Sequence, residues 1–411
     1  MPAPLSAQTI ATVKATVPAL EAHGLAVVQA MYAHLFRNDE IRDLFNQSHQ
    51  GPDGSQPRAL AGAILAYAAN IDDLGVLLPT VERIAQKHAG LNILPEHYPH
   101  VATALVEAIR DVLGDAATEE VIAAWAEAYW FLAEILIGRE GQIYAEQARG
   151  PGGWTGWRRF VVERVETESE TIKSFYLRPL DGRTVVRHKA GQFLTFRLDL
   201  PGRGPVKRNY SISSAPDDVS YRITIKREAA PADRPDAPAG AASNWFHDEV
   251  APGAVLEAAP PAGDFVLDAA DGPVVLVSGG VGLTPLVSML EAIASDGAQI
   301  LTWFVHGTQN SRVHAMSERV RELAAAHPGI QLAAFYEAPD AGDIRGEHYD
   351  EQGYITIEWL KANTPFEQAV FYLCGPRPFL RALVNGLVAE GVEPRRIRYE
   401  FFGPADEQLA A

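Results

Sequence analysis

Gly150-Pro151-Gly152-Gly153 splits the 411-residue chain into two parts whose hydrophobic periods differ, so no single core can serve both. Before this break apolar residues recur every three or four positions, which predicts helices throughout 1–147, with breaks at Pro18, Gly24, residues 46–57, Pro79, Pro95 and Gly114. Residues 46–57 are polar and rich in Gly, Pro and Ser, a loop whose Pro57 suits the first turn of the next helix. After the break, short β-rich runs at 159–165, 171–177, 192–198, 210–213 and 221–226 alternate with turn residues, the spacing of a small antiparallel barrel. Residues 229–242, rich in Ala, Pro and Asp, read as an exposed loop. Beyond Gly272 the rhythm changes to strand and helix. Strands are expected at 274–278, 300–306, 330–336, 370–374 and 397–400, with helices at 285–295, 313–326 and 378–391, an order that predicts a parallel, doubly wound sheet. The expected fold is multidomain: all-α over 1–147, a linker over 148–154, an antiparallel β-barrel over 155–265 and a parallel α/β domain over 266–411.

The net charge of −17 opposes a nucleic-acid or anionic-membrane partner, which needs a basic surface. One cysteine, Cys374, excludes an internal disulfide, which fits a reducing compartment. The N-terminus has no basic segment followed by an apolar core, and no apolar run approaches the roughly 20 residues of a membrane span. A cytoplasmic protein without stable membrane association is expected.

Within the helical part, Val81, Ile84, Ala85 and His88 fall on one stripe, with Gly90 placed to end that helix and Pro95 to open the next. On spacing alone, a core histidine with both nitrogens satisfied is the commoner explanation of His88. An imidazole on an apolar wall is also what a haem iron requires as proximal ligand. Three further stripes bear on the choice: Leu25, Val28, Tyr32 and Leu35; Leu60, Ile64, Tyr67 and Ile71, with Gln56 one turn earlier; and Ile122, Trp125, Tyr129, Leu132, Leu136 and Glu140. A buried glutamate needs a bonded partner, and His88 is available. With Phe45 after the Tyr32 helix, the set resembles a globin, specifically the haem domain of bacterial and yeast flavohaemoglobins. The resemblance implies haem b on His88, supported by Tyr98 and Glu140, with Phe45 against the haem and Tyr32, Gln56 and Leu60 on the distal side. An apolar ligand or lipid in the distal pocket and a monomeric chain are expectations from the same source.

Arg208-Asn209-Tyr210-Ser211 leaves one strand and enters another. A guanidinium can grip a pyrophosphate, an aromatic can cover a flavin ring and a hydroxyl can meet its edge. Gly240-Ala241-Ala242-Ser243 before a helix can receive a second phosphate. Together they resemble the FAD domain of the ferredoxin–NADP reductase superfamily, with Gln192 and Phe193 alongside. Gly279-Gly280-Val281-Gly282-Leu283-Thr284-Pro285 joins a buried strand to a helix, where glycines admit a pyrophosphate to the backbone. A merely structural glycine turn is the alternative, and Cys374-Gly375-Pro376 at another strand end favours the nucleotide. In the terminal Tyr399-Glu400-Phe401-Phe402 segment, the resemblance implies that Phe402 packs on the flavin. Phe401 stands where the family commonly has cysteine, and Phe193 where tyrosine is frequent.

The resemblance covers essentially the whole chain and implies nitric oxide dioxygenation: NO and O2 to nitrate, with electrons passing from NADH or NADPH to FAD to haem. NADH is favoured by resemblance only, because residues 306–310 show neither a ribose-binding acid nor a cluster of bases, although Arg312 is close. An O2/NO sensor or carrier with an auxiliary reductase, and a reductase of ferric compounds, quinones or lipid peroxides, are the other readings.

Overall fold

The computed structural model describes residues 3–45, 55–230, 238–268, 272–296 and 300–402. The chain forms two compact units, one comprising Met1–Arg149 and the short stretch Arg203–Lys207, the other Gly150–Gly202 and Arg208–Phe402.

The first unit is helical: α1 Ala7–Ala15, α2 Val17–Leu35, α3 Asp39–Arg42, α4 Ser55–Ala69, α5 Leu78–Leu91, α6 Tyr98–Leu113 and α7 Glu119–Arg149. Contrary to the expected break, α2 runs through Gly24. An interior glycine costs about 1 kcal/mol, and burial of Val27, Val28, Met31, Tyr32 and Leu35 along this helix outweighs it. Leu25, assigned to that stripe from spacing, lies instead on the outer face, 38% exposed. The end of α5 is also corrected. Gly90 is buried inside the last turn, and Asn92, at φ 56°, takes the left-handed position that caps the helix. Of the expected 46–57 loop, residues 46–54 lie outside the described residues, and helix α4 already includes Ser55.

Helix α7 is long and apolar enough to cross a membrane by length and composition, against the expectation that no such run exists. Its apolar residues pack inside the unit instead: Ile122, Trp125 and Ala128 join the core of α2, α4 and α6, while Ala133, Leu136 and Ile143 join α5 and Tyr98. The buried positions Ala133, Leu136, Glu140, Ile143 and Gln147 step by three and four, so Glu140 sits on the inward stripe among hydrocarbon.

After the helical stretch come strands β1 Arg158–Thr167, β2 Ile172–Pro179, β3 Phe193–Leu200, β4 Gly204–Ser211, β5 Tyr221–Lys226 and β6 Val255–Ala258, with helix α8 Ala241–Glu249 before the last. They form an antiparallel sheet in the order β4-β3-β6-β1-β2-β5, and a bridge from Ile212 to Ile223 joins the two ends, curling the sheet on itself. Four-residue β6 was not expected, being too short to show a period of two. α8 enters the region read as loop.

The remainder alternates β7 Val274–Gly279, α9 Leu283–Ser295, β8 Thr302–Thr308, α10 Ser317–Ala326, β9 Ile330–Tyr336, β10 Glu351–Gln352, α11 Ile357–Asn363, β11 Val370–Cys374, α12 Arg377–Ala389 and β12 Ile397–Glu400. All six strands are parallel, ordered β10-β9-β8-β7-β11-β12. Along β7, Val274 and Leu276 pack on α9 and α10 while Val275 and Val277 pack on α11 and α12. That two-sided burial makes the strand a continuous apolar run. Only β10 and α11 were not anticipated here, at two and seven residues the shortest strand and the shortest helix of the set.

Candidate functional site

In the helical unit, three residues converge on one carboxylate oxygen. Glu140, 1% exposed, accepts a hydrogen bond from the Tyr98 hydroxyl at 2.6 Å and lies 2.7 Å from His88 Nδ1 through the same Oε1. His88 Nδ1 is also 3.2 Å from the Tyr98 oxygen. A carboxylate accepts, so Nδ1 is the donor of this pair and Nε2 is the ring nitrogen left to offer a lone pair to a metal. Burial, then the neighbouring Glu140 charge, pushes the Tyr98 phenol far above its ordinary range, so it stays a donor.

Sequence reasoning missed the frame that holds this triad. The Tyr129 hydroxyl donates to the Tyr98 carbonyl at 2.7 Å, Tyr144 to the Ile93 carbonyl at 2.6 Å, and Arg139 forks onto Glu82 at 2.6 and 3.0 Å. These bonds fix α5 and the turn after it against α7. Tyr144, one turn beyond Glu140 on the same stripe, carried a usable signal; Arg139 and Glu82, 57 positions apart, carried none.

His88 fits a metal on its free side. Its side chain is 31% exposed, Nε2 has no partner among the described residues, and in the cluster around Ala85, Ala89 and Tyr98 the apolar Ile84, Ile93 and Leu132 are only partly buried. Tyr32 is buried and packs on Phe36 and Phe45, with ring centroids 5.2 and 5.5 Å away. Phe45 and Leu60 belong to the same core as Tyr32, both half-buried, and Gln56 is half-buried in the first turn of α4. A flat apolar ring bound through Nε2 would find hydrocarbon walls and a buried carboxylate behind its ligand.

In the second unit the motifs lie on strand ends. Arg208 and Tyr210 share one face of β4, and the Tyr210 ring packs edge-on against Phe246 of α8 at 5.2 Å. Asn209 is tied to Thr195 at 2.9 Å and Ser211 is half-buried where β4 ends. Gln192 accepts from the Lys189 amide at 2.9 Å, and Phe193 packs under Gly263, where a Cβ would come within 3.1 Å of its ring. Ser243 has partners within the chain. Its hydroxyl donates to the Gly240 carbonyl at 3.0 Å and accepts from the Glu228 amide at 3.2 Å, so it ties the loop to α8. The α8 N-terminus has no side-chain cap, which leaves backbone N–H groups as its anion donors. Phe402 is 46% exposed, while Phe401 lies beneath Arg377 at 4.4 Å and packs on the α11 and α12 core.

The glycine-rich turn after β7 and the Cys374-Gly375-Pro376 turn after β11 are pressed together. A Cβ on Gly282 would fall 2.2 Å from the Cys374 carbonyl oxygen, and one on Gly279 3.1 Å from Pro376. Strand order reverses between β7 and β11, and the crevice at such a switch point is where open α/β sheets take ligands. Gly280, at φ +53°, and Val281 are only half-buried there. Leu283, Thr284 and Pro285 are buried, with the Thr284 hydroxyl donating to the Val281 carbonyl at 3.1 Å. Cys374 is fully buried in the α9 core, and burial pushes its thiol pKa well up, so this turn offers backbone rather than a reactive sulfur.

Two family models match: Globin over residues 28–136 and Oxidoreductase NAD-binding domain over residues 276–385. A protein of Xylella fastidiosa named Flavohemoprotein is 52% identical, with all of both chains covered. The chain belongs to the flavohemoprotein family. Another Flavohemoprotein, of Rhodopirellula baltica, is 45% identical over 99% of this chain and 100% of its own. Among solved structures, flavohemoglobin from Malassezia yamatoensis with bound FAD and heme has TM-score 0.85 at 25% identity, covering 98% of this chain and 100% of that one. The Flavohem-like-FAD/NAD binding domain of nitric oxide dioxygenase from Vibrio cholerae has TM-score 0.54 at 33% identity, covering 60% of this chain and 99% of that one. The flavohemoprotein architecture is thus the one described above: helical globin, curled antiparallel sheet, parallel nucleotide-type sheet.

Proposed function

We propose that this flavohemoprotein is a nitric oxide dioxygenase that converts NO and O2 to nitrate with NADH or NADPH as reductant. The observation that carries the reading is the shared oxygen of Glu140, because a carrier needs only a histidine. When bound, haem b supplies the metal at which O2 and NO react, and FAD turns hydride into single electrons for it.

The chain's own residues serve those groups as follows. Glu140 holds the His88 proton on Nδ1 and directs Nε2 at the metal position, and its negative charge makes the imidazole a stronger donor. Tyr98 fixes the carboxylate from the other side. Tyr32 supplies a hydroxyl in an apolar setting, where a hydrogen bond to developing negative charge is strong. Gln56 assists it, and Leu60 limits space beside it. Arg208 binds flavin pyrophosphate, Tyr210 and Ser211 meet the flavin ring, and Phe402 covers it. The N-terminus of α8 from Gly240 takes a phosphate. The crevice between Gly280 and Pro376 receives the nicotinamide nucleotide.

Adding NO to the aerobic, FAD- and haem-loaded protein with NADH should start steady NADH consumption with nitrate as product. NADH oxidation indifferent to NO would leave a ligand-binding globin joined to a reductase.

A further inference from the structure

Helix α9 begins at the glycine-rich turn, and two turns later it carries a buried polar cluster that the proposed chemistry does not use. Glu291, its side chain 6% exposed, accepts from Arg222 of β5 at 3.1 Å, from Arg319 of α10 at 3.0 Å and from the backbone N–H of Ala215 at 2.8 Å. One turn earlier, the Ser288 hydroxyl donates to the Ser214 carbonyl at 2.7 Å, and His188 Nε2 donates to the same carbonyl at 3.2 Å. Arg222 in turn donates to the carbonyl of Ser213 and, at 3.1 Å, to its hydroxyl. Every backbone group so gripped belongs to residues 213–215, which follow Arg208-Asn209-Tyr210-Ser211 after the single residue Ile212.

We infer that Glu291 and Ser288 are positioning residues that register the nucleotide-receiving end of α9 against the flavin-binding end of β4. The inference rests on the flavin and nucleotide assignments proposed above. Packing gives it a mechanical basis: Leu283 through Glu291 are all buried, so α9 moves as one body with its N-terminal turn. A nucleotide that shifts this turn would therefore shift the anchor of residues 213–215. The distance between nicotinamide and flavin would be set by this cluster. Neither residue belongs to the segments assigned above to flavin or nucleotide.

The test is amide hydrogen exchange of Ser213, which donates to the Arg222 carbonyl, and Ala215, which donates to Glu291, in the full FAD-loaded chain, with and without NAD+, for wild type, Glu291→Gln and Ser288→Ala. In wild type these amides should be protected, and NAD+ should change their exchange. In both variants protection should fall and the response to NAD+ should vanish, while haem absorbance stays the same. Flavin reduction at saturating NADH should slow by about tenfold or more in Glu291→Gln, as misplacement on the ångström scale does, with a smaller change in the NADH concentration needed. Should Glu291→Gln lose FAD because Arg222 is left buried without its anion, Ser288→Ala decides. An unchanged NAD+ response in Ser288→Ala overturns the inference, as does wild-type exchange at Ser213 and Ala215 that ignores NAD+ while NADH still reduces the flavin. Failure of NADH to reduce wild-type flavin would instead overturn the proposed function itself.

Discussion

The two units build their sites from different materials. In the helical unit the site is made of side chains: His88 from α5, Tyr98 from the start of α6 and Glu140 from α7 meet at one oxygen. In the reductase unit the crevice between β7 and β11 is made of backbone, in turns that only glycine lets approach each other, as Gly282 and Cys374 do. A metal needs a lone pair aimed in one direction, which an imidazole locked by a carboxylate gives. A pyrophosphate needs several N–H donors at close range, which side chains would obstruct. Substitutions should therefore fail differently in the two units.

The largest effect is expected at His88. His88→Ala should abolish haem binding while leaving FAD in place, and added imidazole should restore part of the haem absorbance. The apoprotein should lose about 1–3 kcal/mol as well, because Glu140 stays buried with one partner fewer. Absorbance of the purified variant decides the first claim, and a normal haem spectrum would remove His88 as the ligand.

Gly282→Ala comes next and should strike only the other unit. The added methyl meets the Cys374 carbonyl, so the two turns must part, at about 1–3 kcal/mol of overpacking strain. NADH reduction of the flavin should drop steeply with haem content unchanged. Equal NADH affinity in variant and wild type would mean that the crevice lies elsewhere.

A pH series sharpens the comparison further. Burial holds His188 at about 4, below the ordinary 6.5, and pushes fully buried His306 well down. Both are neutral in the folded state, so as pH falls the unfolded chain binds their protons first. Stability is thus complete above 6.5 and is lost towards 4, by about 3 kcal/mol for His188 alone. Thermal melts followed by flavin fluorescence should show reductase unfolding shift down through this window. His188→Asn should flatten that slope.

The same contrast explains how much could be read from sequence. Helix spacing exposed His88 and Glu140 because both stand on apolar stripes where a polar group demands a reason. Strand and turn alternation exposed the two sheets, and the motif turns lie at strand ends as expected. What escaped was set by contacts between distant residues. Asn92 rather than Gly90 caps α5, and the carbonyl of the next residue, Ile93, is held by the Tyr144 hydroxyl 51 positions away. The Ser243 hydroxyl, at a helix start, also holds Glu228 to Gly240, a contact across 15 positions that spacing does not show. Glu291 sits in a helix with no visible partner, since Arg222 and Ala215 lie 69 and 76 positions away.

The central claim is that Glu140 sets the state of His88, and one spectroscopic comparison tests it directly. Glu140→Gln keeps the shape of the side chain but removes the charge that draws on the His88 proton. Haem should still bind. The resonance Raman iron–histidine stretch of the ferrous protein should move to lower frequency than in wild type, because the imidazole becomes the weaker donor. An identical frequency in the two proteins would contradict the account.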